Sequence, residues 1–373
     1  MRAYVYSDKS LERYAGRFVW LSVNTEAATN AAFLKRYPIP ALPTLLVLDP
    51  QGKVTTRYVG GATIPQLKKL LDDSVSRATS PSDKLLLEAD RLAAEGKHAE
   101  AAKSYEDALA KADKNWKKFG RTAESMLFSM SMTDDNERCA TRAIELYPRV
   151  KGTSSAANVA STGLSCATSL DEKNAKRAQL AETLEKYTRE VFDDPKIVLS
   201  GDDRSGLYIA LIDARDAAKD EPGALELEKQ WAAFLEKAAS EAKTPEQRAV
   251  YDSHRVSAYL DLGTPEKAIP MLEQSERDFP DDYNPPARLA LAYRAMKEYD
   301  KALAASDRAL AKVYGPRKLT VLSTRADIFM DKGDKDAARA TVAEAIEYAK
   351  SLPVGQRNER RIASLQKRLE SIQ

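Results

Sequence analysis

The chain reads as mainly helical, with a short α/β segment at its start and a long helical array after it, and three observations carry that reading. Strand-like runs are confined to the first 77 residues. From Pro81 onward the sequence turns alanine-rich and charged, with almost no strand signal. Within that part, positions return at a fixed interval: Gly263, Ala268, Leu272, Ser275 and Pro280 recur about 34 residues later as Lys297, Ala302, Ser306, Ala309 and Tyr314, and again as Gly333, Ala338, Val342, Ala345 and Lys350. Two domains follow, 1–77 and 78–373, joined near residues 76–82 (SRATSPS), which have linker composition.

In the first domain, residues 17–24 (RFVWLSVN) predict a buried strand and residues 26–36 a helix with Ala28, Ala32 and Leu34 inward. An apolar strand through Leu45, Leu46, Val47 and Leu48 precedes a Gln51-Gly52 turn and a partner strand over 54–59. Gly60-Gly61 then punctuates the chain before a helix over 64–75 carrying Leu67, Leu70 and Leu71 at helical spacing. This order, with the run Tyr37-Pro38-Ile39-Pro40-Ala41-Leu42-Pro43-Thr44 ahead of the apolar strand, resembles the second half of a thioredoxin fold. The resemblance implies a cis Leu42-Pro43 bond, since cis peptides are almost always X-Pro. It also implies that Ala41, Leu42, Pro43 and Thr44 present backbone to an extended substrate. Family members carry a Cys-x-x-Cys at the start of a preceding helix, and residues 1–8 resemble the stretch just after it. The expectation is therefore a fold missing its active-site half. The explanations are an upstream part lost from the gene, a re-closed remnant sheet, or a partner that supplies the strand.

The second domain has a further copy of the recurring pattern in Leu92, Gly96, Ala101, Tyr105, Ala108 and Leu109, and Tyr259, Tyr293 and Phe329 hold equivalent positions. These offsets resemble the tetratricopeptide repeat, a helix-turn-helix unit, so the array is read as an α-solenoid. Gly96, Gly263 and Gly333 fall at the helix-helix turn, while Ala101, Ala268, Ala302 and Ala338 allow close helix crossing. By resemblance, a peptide groove would include Asn284, Leu291, Arg294, Ser323, Asp327 and Met330. These do not match the lysine and asparagine clamp that some members use for acidic carboxyl-terminal peptides. Between 115 and 250 the period is degenerate, with room for about four divergent repeats. Ala140, Ala143 and Ile144 suit a helix stopped by Pro148, and 207–218 with 223–237 read as a hairpin. Pro280 is read as a helix stop with Asp281 or Asp282 capping the next helix, and 314–317 as an inter-repeat turn. The tail over 356–372 places Ile362, Leu365, Leu369 and Ile372 on one face, a cap helix with a solvated basic side.

Composition narrows the function. At 373 residues and 43% hydrophobic the chain can bury a sizeable core, and 58 basic against 56 acidic residues leave no nucleic-acid footprint. There is no apolar run of about 18 residues, so no membrane span is expected. Location stays open: extracytoplasmic, periplasmic or secreted, if residues precede Met1, and cytoplasmic otherwise. Cys139 and Cys166 are not a Cys-x-x-Cys; the expectation is two free packed thiols, with a bridge across a helical hairpin as the alternative in an oxidising compartment. His98 and His254 read as surface or turn residues, and no catalytic, metal or cofactor site is assigned. The expected function is a protein-interaction scaffold with protein or peptide partners, its oligomeric state open, with no turnover from this chain as given. A thiol-disulfide oxidoreductase is the alternative if a Cys-x-x-Cys lies upstream.

Overall fold

A computed structural model describes residues 1, 3–76 and 78–372. Arg2 of the opening stretch, Arg77 of the expected linker and Gln373 of the expected repeat domain lie outside the described residues. The chain divides into two compact units, residues 1–15 with 37–231, and residues 16–36 with 232–373. Two short pieces come first: a 3-10 turn Lys9–Tyr14 in the first unit and, in the second, the 3-10 turn Ala28–Asn30 continued by α1 (Ala31–Arg36).

The first unit continues with β1 (Thr44–Leu48), β2 (Val54–Val59) and α2 (Ile64–Ser74). The strands pair antiparallel, Thr44 opposite Val59 and Leu46 opposite Arg57, with an irregularity between Val47 and Leu48. Asp49 closes the hairpin by accepting the Gln51 N–H at 3.0 Å and the Lys53 N–H at 2.8 Å, while Gly52 takes φ 75°. A Thr63–Gln66 capping box with Pro65 in the first turn starts α2, which buries Leu67, Leu70 and Leu71. Leu42-Pro43 is cis. A Ser80–Asp83 capping box with Pro81 then starts α3 (Pro81–Ala94) inside the expected linker.

The remaining helices come largely in antiparallel pairs. In the first unit α3 pairs with α4 (His98–Ala110), α5 (Phe119–Ser131) with α6 (Asn136–Val150), and α7 (Ser155–Thr168) with α8 (Arg177–Asp193). The next pair in sequence is α9 (Gly201–Ala217) and α10 (Glu221–Ser240), the latter passing to the second unit at Ala232. The second unit holds α11 (Pro245–Ala249), α12 (Asp252–Asp261) with α13 (Ala268–Asp278), α14 (Asn284–Ala295) with α15 (Tyr299–Leu310), α16 (Lys318–Lys332) with α17 (Lys335–Ser351), and α18 (Glu359–Ser371). Ala101, Ala268, Ala302 and Ala338 are fully buried at the crossings. Among the described residues no helix is long and apolar enough to cross a membrane.

Several expectations need correction. Residues 17–24 form no strand, and Val19, Trp20 and Leu21 are 87%, 48% and 79% exposed. The following residues are instead held by loops of the second unit. Asn24 Nδ2 donates to the Tyr314 hydroxyl at 2.8 Å, the Arg317 N–H donates to Glu26 Oε2 at 2.7 Å, and Gln356 Nε2 donates to the Thr25 carbonyl at 2.8 Å. A side chain at Gly315 would collide with the Glu26 carbonyl and one at Gly355 with that of Ala31, so only glycine permits this approach. The sheet accordingly has two strands, β1 and β2, among the described residues, without the third strand expected over 17–24. The helix expected over 26–36 shrinks to α1 with another phase, burying Ala31 and Leu34 and exposing Ala28 and Ala32. Three helix pairs rather than about four separate Gly96 from Gly263 among the described residues. Pro148 lies inside α6, where it forfeits only one bond in the last turn, and Lys151 N–H still reaches the Tyr147 carbonyl at 2.9 Å. Cys139 on α6 and Cys166 on α7 are bonded rather than free, their Cα atoms 6.1 Å apart. His98 is buried rather than superficial, 9% exposed at the first position of α4.

A buried polar cluster joins the hairpin to the helices. Asp90 on α3, fully buried, accepts the Tyr105 hydroxyl at 2.7 Å and Arg121 Nη1 at 2.8 Å, and Arg121 also reaches the Arg57 carbonyl on β2 at 3.4 Å. The Arg57 guanidinium is 2% exposed and lies 5.5 Å from the Phe128 ring centre. Burial first, and the neighbouring Arg57 charge second, hold His98 below its ordinary value, so its ring stays neutral.

Replacing Asp90 by Ala strands the Arg121 charge, and urea titration should show a loss of about 3–5 kcal/mol. Reducing Cys139–Cys166 frees a loop spanning 27 residues. By the chain-entropy relation this should cost about 3.5 kcal/mol, read as a lowered denaturation midpoint in reductant. For His98 the folded chain refuses a proton that the unfolded chain accepts below about pH 6.5. That contribution is complete above this value and is lost as pH falls toward the depressed folded value. His98→Asn should flatten this part of the stability profile between pH 7.5 and 5.5.

Candidate functional site

The first group of sequence-selected residues sits on one short stretch. Ala41 and Pro43 are half-buried and Leu42 is 55% exposed. Thr44 Oγ1 donates to the Ala41 carbonyl at 2.7 Å, and the Gly60 N–H donates to the Pro43 carbonyl at 2.9 Å. Pro43 is thus in a hydrogen-bonded pair with β2, so by alternation Thr44 and Leu46 turn their backbone groups to the opposite side. No strand occupies that side among the described residues. Such an edge offers a ladder to an extended chain.

The second group lies on α14 and α16. Asn284 opens α14, its N–H donating to Asp282 Oδ1 at 2.8 Å, while Leu291 and Arg294 are half-buried farther along. Arg294 Nε donates to Asp331 Oδ2 at 2.6 Å, and its Nη1 to Asp327 Oδ2 at 3.4 Å. Asp327 also accepts from Arg368 of α18, and Ser323 Oγ accepts from Arg361 Nη2 at 2.9 Å. Met330 packs into the core formed by α16, α17 and α18. The basic side of α18 is therefore partly spent on α16 rather than solvated throughout. An Arg-Asp-Arg ladder runs across α14, α16 and α18, leaving less free charge there than the residue types suggest.

Sequence reasoning missed a third place. In the first unit a cleft of about 440 Å³ is lined from α2 by Gln66, Lys69, Leu70 and Asp73, from α5 and the turn before it by Lys114, Trp116, Lys117, Phe119, Gly120, Arg121 and Glu124, and from the α6–α7 junction by Arg149, Val150, Ser154 and Ser155. Gln66 Nε2 donates to Ser154 Oγ at 3.1 Å, and Lys69 Nζ donates to the Lys117 carbonyl. Arg149 stacks over Phe119 at 3.6 Å and donates to the Asp113 carbonyl at 3.1 Å. Glu124 accepts Asn158 Nδ2 at 3.1 Å, and burial pushes its carboxyl above the ordinary value. Burial likewise lowers Lys69. A signal was present in the run Lys111 to Arg121, where four lysines and an arginine flank Trp116 and Phe119. Its convergence with Lys69 and Arg149 needs the fold.

No family model matches the chain. Nucleoredoxin of Mus musculus is 42% identical over 52 residues, 14% of this chain and 12% of that protein, so the chain spans about an eighth of the length of the curated relative it matches. Among solved structures, a tetratricopeptide repeat protein from Parabacteroides merdae is similar over 78% of this chain and 99% of its own, at 10% identity and TM-score 0.48. A thermophilic TPR protein of Thermus thermophilus is similar over 78% and 98%, at 16% identity and TM-score 0.27.

Proposed function

We propose that this chain is a protein-interaction scaffold: a tetratricopeptide-type array carrying a thioredoxin-derived remnant that binds an extended polypeptide without exchanging electrons with it. The observation that carries the reading is the open side of β1, where Thr44 and Leu46 turn outward beside the exposed Leu42 and the cis Leu42-Pro43 bond. Ala41, Leu42, Pro43 and Thr44 would pair with the backbone of the bound segment. Asn284, Leu291, Arg294, Ser323, Asp327 and Met330 would supply a second contact face. Redox chemistry needs a thiolate, and the two cysteines of this chain are spent on each other in α6 and α7.

Selection of a displayed linear-peptide library on the purified chain, followed by fluorescence polarisation, tests this. Selected peptides should bind at micromolar level, about −8 kcal/mol. Leu42→Asp should weaken loop binders at least about tenfold, and Arg294→Ala should weaken groove binders. A library yielding no binder, or binders indifferent to both substitutions, would overturn the scaffold reading. Insulin reduction by the unaided chain would replace it with the oxidoreductase.

A further inference from the structure

The cleft among α2, α5 and the α6–α7 junction has the parts of an anion site. Two helices begin on it, α5 of 13 residues and α7 of 14, and neither first turn has a side-chain cap. Phe119 N–H and Thr122 N–H find the Trp116 and Lys118 carbonyls, whereas Gly120 N–H and Arg121 N–H have no backbone acceptor among the described residues. Helix starts of this kind favour negative charge. Gly120 also lets the starts of α5 and α7 approach closely, because a β-carbon there would collide with Ser155.

The independent observation is Arg121. It lines the cleft, is 9% exposed, and leaves Nε without a hydrogen-bond partner among the described residues, although Asp90 holds Nη1. A buried donor left open is costly, and an incoming acceptor would satisfy it. Lys69, Lys114, Lys117 and Arg149 surround the cleft, against Asp73 and Glu124 as its carboxylates. Leu70, Phe119 and Val150 add an apolar wall. Pockets of several hundred Å³ with an apolar wall and a few convergent polar groups suit small ligands.

We propose that this cleft binds a small molecule bearing a phosphate or carboxylate group, the oxyanion seated at the start of α5 beside Lys69, Lys117 and Arg121, and the apolar body against Leu70, Phe119 and Val150. This site is separate from the loop and groove of the scaffold reading and stands if that reading fails.

Isothermal titration of the full chain at low salt with phenyl phosphate and with phenylacetate tests it, with inorganic phosphate as the arm lacking an apolar body. At least one aromatic anion should bind, and the one that binds names the oxyanion. Lys69→Gln with Lys117→Gln, at side chains on the rim of the cleft, should weaken it at least about tenfold at an unchanged melting temperature, since each contact to a charged group is worth a decade or more. Leu42→Asp should leave it unchanged. Absence of heat with both aromatic anions, or equal affinity in the double variant, would overturn the proposal. Inorganic phosphate binding as tightly as phenyl phosphate would remove the apolar wall from it.

Discussion

One buried carboxylate organises the first unit. Asp90 takes a hydroxyl from α4 and a guanidinium from α5, and that same guanidinium reaches the backbone of β2. Three helices and a strand are thereby held by a single charge whose removal from water is tolerable only while its partners stay in place. The interior then holds two guanidiniums, Arg57 and Arg121, to one carboxylate. Arg57 has neither Nε nor Nη2 bonded among the described residues, and its flat face is turned to Phe128. The positive surplus extends to the cleft, because Arg121 belongs to both places.

What was legible in the sequence was local. The Leu42-Pro43 geometry, the Gln51-Gly52 turn and the leucines of α2 are each encoded within a few residues, and they stand as read. Residues 17–24 failed for the opposite reason. Their alternation suits a strand, but a strand needs a partner, and the anchors that decide the matter are Tyr314, Gly315, Gly355 and Gln356, far along the chain.

The degenerate middle repeats have a similar explanation. Gly96, Gly263 and Gly333 take left-handed turns, as the pattern requires, but Asp134, Lys219 and Lys297 take the same conformation without being glycine. Geometry persists where the letter changes, so the turns at Asp134 and Lys219 keep the left-handed conformation although their residues break the glycine pattern. The cysteines show the same limit: the hairpin of α6 and α7 was readable, yet only their relative rotation decides whether the sulfurs meet.

The docking of residues 24–31 sets an order of events during synthesis. Thr25 is bound by Gln356, a separation of 331 residues, and Asn24 by Tyr314, a separation of 290. Closing contacts of that span is slow, and on a ribosome the segment must wait until Tyr314 and Gln356 have emerged. A nascent chain of this protein therefore carries residues 24–31 undocked while the residues between are made, and Val19, Trp20 and Leu21 stay exposed before and after docking.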